Sequence, residues 1–240
     1  MNLTRCLIVV AITELVFVVA TRVVLHYYSW SSVEAESIRT ALRIGTALIY
    51  WWLLKPLILS RKPDLPSFKS ASVLLAVVLF LSIPVIVGRY QLENHVAVLF
   101  AISSLPVAVK EEFLFRGIIQ NLLTQRHGLL KAVLLTSTVF TLWHVGVWDP
   151  TLWVFSQIFF ASVLLGLIYL RSGSIIVVIV LHAVYDALFS FTPLIPRPFN
   201  ANWGFVPLLG SVAFVSYWAF GGNGLTLRSK GRAAGGAPLS

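Results

Sequence analysis

The chain has 240 residues, 58% of them hydrophobic and only 11% charged, with a mean hydropathy of +0.88. That composition excludes an ordinary soluble globular domain and places the sequence among polytopic membrane proteins. The net charge of +9 does not signal nucleic acid, because the basic residues sit mainly in short segments between apolar runs, and the single cysteine, Cys6, excludes an internal disulfide and a Cys-ligated metal site.

A bilayer core of about 30 Å takes roughly 20 apolar residues per helix. Applied in chain order, this ruler predicts an all-α membrane bundle with spans near 5–27, 40–60, 70–89, 96–121, 130–148, 152–170, 174–192 and 203–221. Helices are the expected element because open sheet edges find no hydrogen-bond partners in lipid. The first run continues through Glu14 and Arg22 to about His26 with no cleavage motif, so it reads as a retained span rather than a signal peptide. An even number of spans puts both termini on one side. Arg5, Lys55, Arg61, Lys62, Lys69, Arg126, Lys131, Arg171, Arg228, Lys230 and Arg232 fall on that side, against Arg39, Arg89 and Arg197 opposite, which predicts cytoplasmic termini in a multi-pass protein of the cell membrane. One integral-membrane domain is expected over 1–222. The Gly-rich, basic segment 223–240 cannot bury enough surface to fold and is expected to be a disordered cytoplasmic tail.

Three spans carry groups that do not belong in lipid. The stretch KEEFLFRG, 110–117, places Lys110, Glu111, Glu112 and Arg116 within two turns. A charged side chain at mid-bilayer costs about 2.5 to 3.5 kcal/mol, so these residues must be paired or hydrated. Glu112 and Arg116 are four apart with Glu first, the favourable helical spacing for an ion pair, while Glu111 points about 100° away toward a different neighbour. FTLWH puts Phe140 and His144 one turn apart on the fifth span, and HAVYD puts His182 and Asp186 one turn apart on the seventh. Counting about 1.5 Å per residue from Arg126, Lys131 and Arg171 places Glu111, His144 and His182 at roughly 22, 20 and 16 Å, a shared mid-membrane depth. A lone membrane histidine is commonly just packed, and a Glu–Arg pair such as Glu14 with Arg22 reads as a lock between helices. The set as a whole reads as a functional site.

A buried carboxylate and an imidazole can together deprotonate a water, and a second imidazole held by an acceptor one turn away, as His182 is by Asp186, can donate to a developing oxyanion. There is no H-E-x-x-H zinc signature, no second aspartate in a G-x-G-D setting beside Tyr185-Asp186, and no G-x-S-G around Ser172 or Ser174. Two histidines with one or two carboxylates remain a possible zinc set, and a scaffold or transporter using the same polar cluster stays open.

EEFLFR, FTLWH and HAVYD resemble E-E-x-x-x-R, F-x-x-x-H and H-x-x-x-N/D, the three motifs of the CPBP family of intramembrane proteases, which contains CAAX-processing and bacteriocin-processing enzymes. The resemblance covers roughly 106–190, about a third of the chain. It implies a glutamate-type endopeptidase with no cofactor, Glu111 and His144 activating water, His182 and Asp186 building the oxyanion site, and Glu112, Arg116 and Phe140 supporting it. Many relatives have Asn where this chain has Asp186. A carboxylate cannot donate to an oxyanion, so the donor role falls to His182, with Asp186 orienting it. The implied partners are a membrane-embedded or membrane-anchored protein or peptide substrate and the bilayer, without nucleic acid. The short chain and small loops suit a prokaryotic member.

Overall fold

The structure is a computed structural model that describes residues 3–60, 71–87, 93–145, 152–191 and 205–220. Regular structure in these residues is helical: α1 (Leu3–Tyr27), α2 (Val33–Ile58), α3 (Ala71–Val87), α4 (Asn94–Glu112), α5 (Asn121–His127), α6 (Leu129–Trp143), α7 (Leu152–Ser172), α8 (Ile175–Ser190) and α9 (Phe205–Phe220). A π-helical stretch, Phe113–Gln120, joins α4 to α5 into one rod over 94–127. Among the described residues, each predicted apolar segment contains a helix. The predicted tail, 223–240, lies outside the described residues.

Boundaries moved where local chemistry outweighed hydropathy. The second helix begins well before residue 40 because the Ser32 hydroxyl accepts from the Ala35 N–H at 3.1 Å, and Glu34 and Glu36 occupy the positive first turn. The motif-bearing rod runs on to His127 and ends at Gly128, whose φ of 79° suits glycine. The fifth apolar segment stops at Trp143, five residues short of the expected end. His144 therefore caps α6 instead of lying within it.

Three helices are long and apolar enough to cross a membrane by length and composition: Thr4–Tyr27, Val33–Ile58 and Val154–Ser172. Shorter apolar helices are Leu74–Ile86, Leu129–Trp143 and Ile175–Ser190. The distribution of side chains is the reverse of a soluble protein's. Trp52, Ile102 and Ile176 are 82%, 69% and 69% exposed, whereas Arg116, Lys110 and Glu112 are buried. An apolar exterior around a charged interior requires lipid as the solvent. This is a helical membrane protein.

The rod is central. It runs parallel to α2, with Ser103 bonded to Glu36, the Phe113 ring stacked on Trp51 and Gly117 against Ile58. It also runs parallel to α7, where Arg116 reaches Ser162 and Gln120 reaches the Gly166 carbonyl. Gly117 and Gly166 permit this closeness. A Cβ on Gly117 would meet Ile58 side-chain carbons at 3.2 Å, and one on Gly166 would meet Val133 at 3.1 Å.

Candidate active site

The rod, α6, α7 and α8 bring the three motifs together. Arg116 is buried, and its Nη1 donates to Glu112 Oε1 at 3.0 Å, the local i,i+4 pair expected from the spacing. Its Nη2 donates to both the carbonyl and the hydroxyl oxygen of Ser162, each at 3.0 Å. The guanidinium lies 5.0 Å from the centroid of the Phe140 ring. Phe140 is the hub of the motifs, with its centroid 4.6 Å from the His144 ring and 6.2 Å from the His182 ring.

His182 stands among three carboxylates. Its Nδ1 is 2.6 Å from Glu112 Oε1, and its Nε2 is 3.6 Å from Asp186 Oδ2 and 3.9 Å from Glu111 Oε2. An ionised carboxylate has no proton to give, so Nδ1 is the donor in the short bond. The group that fixes the ring by a hydrogen bond is thus Glu112, with Asp186 beside the other nitrogen. Glu112 serves Arg116 and His182 through one oxygen, and its Oε2 is buried with no hydrogen-bond partner among the described residues.

Glu111 meets His182 at the other ring nitrogen from Glu112. Its side chain keeps 15% of its surface, and its charge interacts with both His144 and His182. His144 presents Nδ1 to the Phe140 carbonyl at 2.7 Å. A carbonyl only accepts, so Nδ1 carries the proton and the neutral ring has its lone pair at Nε2. The helix end makes this possible, since the Phe140 carbonyl lies in the last turn of α6.

Several contributors were invisible in the motifs. Ser162 is one, although Ser162 and Gly166 form a small-x-x-x-small pair that marks close helix packing. Arg43 is another: held by Glu36 at 2.6 Å, its charge acts on Glu111 and Asp186. Lys110 is a third, paired with Glu14 at 2.7 Å, while Tyr50 donates to the same carboxylate at 2.5 Å. Glu14 is thus tied to Lys110 and Tyr50 rather than to Arg22. The polar residues Gln120 and Asn121 are buried cross-ties: Asn121 Nδ2 donates to the Leu57 carbonyl at 3.1 Å and to Tyr169 Oη at 3.0 Å. Among the described residues, no group of three or more His, Cys, Asp or Glu side chains is arranged to hold a metal ion.

Fold and site together define a helical membrane protein with a buried Glu–His–Arg centre. Residues 93–188 match the family model described as Rce1-like, type II CAAX prenyl endopeptidase. That match to a family of proteases agrees with the resemblance carried by the three motifs. No curated protein and no solved structure matches the chain.

Proposed function

We propose that the protein is an intramembrane endopeptidase that hydrolyses a peptide bond of a membrane-embedded or membrane-anchored protein or peptide, using water activated by Glu111 and His144. The observation that carries this reading is an imidazole, His144, whose Nδ1 is committed to the Phe140 carbonyl, leaving Nε2 as the base, within the electrostatic reach of the partly open Glu111 carboxylate. Glu111 and His144 take a proton from water, and the hydroxide oxygen bonds to the peptide carbonyl carbon. His182, with Nδ1–H donated to Glu112, offers Nε2–H to the oxyanion when it carries both protons. Asp186 and Glu111 beside that nitrogen balance its charge. The C–N bond then breaks as the proton taken from water passes to the leaving amine. Glu112, Arg116 and Phe140 hold the imidazoles in place, and no metal or other cofactor takes part.

The substrate class is a membrane-associated peptide, in keeping with the type II CAAX prenyl endopeptidase description of the matching family model. The eight helical rods among the described residues are read as eight crossings with both termini cytoplasmic. The parallel run of α2, the 94–127 rod and α7 supports this, because alternate crossings point the same way.

The test is mass spectrometry of new protein termini in membranes of cells expressing the wild-type chain or Glu111→Gln at matched, folded levels. Termini found only with the wild type would establish Glu111-dependent proteolysis and name the substrate. Identical termini, under conditions where the protein affects the cell, would overturn the reading in favour of a non-catalytic role for the cluster.

A further inference from the structure

Lys110 is a buried cation that the hydrolytic scheme does not use. It is 2% exposed and sits one residue before Glu111, so its side chain leaves the rod about 100° away from that of Glu111. Its Nζ is 2.7 Å from Glu14 Oε2, 4.2 Å from the Phe17 ring centroid and 5.0 Å from the Trp143 ring centroid. Glu14 is held in turn by the fully buried Tyr50 hydroxyl. Trp143 is the last residue of α6 and immediately precedes His144. One residue therefore reaches the neighbour of the base through its ammonium and directly precedes, on the rod, the carboxylate that shares the base's proton.

We propose that Lys110 is a positioning residue that sets Glu111 and His144 in register, its ammonium clamped between Glu14 on α1 and the ring of Trp143 at the end of α6. This rests on the proteolytic reading above. A buried ammonium is tolerated only where its partners meet it with good geometry, so the clamp admits few alternative arrangements. The helix end that carries His144 gains an external anchor through Trp143. Glu14, Phe17 and Tyr50 all precede the Rce1-like segment, 93–188, so the counter-charge of the clamp comes from the N-terminal helices. The matched segment alone lacks the group that fixes Lys110.

The experiment uses the full chain and the substrate identified by the terminus search. The double variant Glu14→Gln/Lys110→Met removes both charges together and strands neither. A shift of the reacting groups by about 1 Å costs up to about 100-fold, so kcat is expected to fall about 10- to 100-fold with KM unchanged. Trp143→Leu in that background should add less than about twofold, because the two changes break one linkage. A double variant with wild-type kcat, or a Trp143→Leu loss that multiplies independently onto it, overturns the proposal. If the double variant does not fold, Trp143→Phe against Trp143→Leu decides: kcat held with the ring and lost without it supports the clamp, and equal kcat refutes it. Glu111→Gln run alongside separates the two ideas, since cleavage surviving there sinks the protease reading itself.

Discussion

Glu112→Gln probes how the centre is held together. Glu112 is fully buried, and one oxygen receives both Arg116 and His182. Hydrogen bonds to a charged group contribute about 1.5 to 3 kcal/mol and neutral ones about 0.5 to 1.5, so replacing the carboxylate by an amide loses about 1 kcal/mol or more at each of the two bonds. The amide also places an NH2 where the partnerless Oε2 now lies, adding buried donors with nothing to receive them. The combined loss is about 3 kcal/mol, which for a chain of this size lowers Tm by about 6 to 12 °C. With His182 held through Nδ1 by a weaker, uncharged acceptor and its imidazolium no longer balanced by Glu112, about 2.7 kcal/mol of transition-state stabilisation is lost, or about 100-fold in kcat. The check is a thermal scan followed by tryptophan fluorescence on purified protein in detergent, beside kcat on the identified substrate. A variant within about 2 °C of wild type and retaining full kcat would refute the claim that Glu112 orients His182.

Phe140→Leu should cost about 1 to 2 kcal/mol, from the lost ring contact with Arg116, and lower kcat about tenfold, because His144 and His182 both lean on that ring; the same thermal and kinetic measurements decide it. Gly117→Ala should lower stability by about 1 to 3 kcal/mol while changing KM little, since the added methyl pushes on Ile58 of α2 rather than on the motif residues, and a thermal scan reads this directly. Prolonged chelation that leaves a preparation free of metal by elemental analysis should leave kcat unchanged. In a Cys6→Ala background, thiol labelling should reach Ser29→Cys from outside intact cells and Ser60→Cys only after permeabilisation, the two exposed positions flanking α2. The reverse pattern would invert the topology.

What could be read ahead of the structure was what is local. The Glu112–Arg116 pair was legible because four residues of helix bring the groups together whatever surrounds them. Apolar runs of membrane-spanning length likewise marked each helix. Boundaries were less legible where a side chain intervened, as Ser32 does at the start of α2 and His144 at the end of α6. Long-range partners were not legible at all. Glu14 lies 96 residues from Lys110, Ser162 lies 46 from Arg116, and Glu112 lies 70 from His182. Nothing in the helical period says which of several nearby carboxylates an imidazole will choose. The π-helical stretch was not legible either: FLFRGIIQ holds Gly117, but a single glycine does not distinguish a π turn from an α turn.

The partners of KEEFLFRG are made at different times. Glu14, which receives Lys110, and Tyr50, which donates to Glu14, are both synthesised before the rod, so Lys110 can be neutralised on arrival. Ser162 and His182 are not. At roughly 5 to 20 residues per second, the 70 residues between Glu112 and His182 take several seconds to synthesise. Until Ser162 emerges, 46 residues after Arg116, Glu112 and Arg116 have only each other, which makes their spacing on a single helix a condition for biogenesis as much as for the finished site. A nascent chain stalled before α8 should therefore hold the rod near the aqueous path of the insertion machinery, and truncation ahead of His182 should send the protein to quality control rather than yield a smaller stable fold.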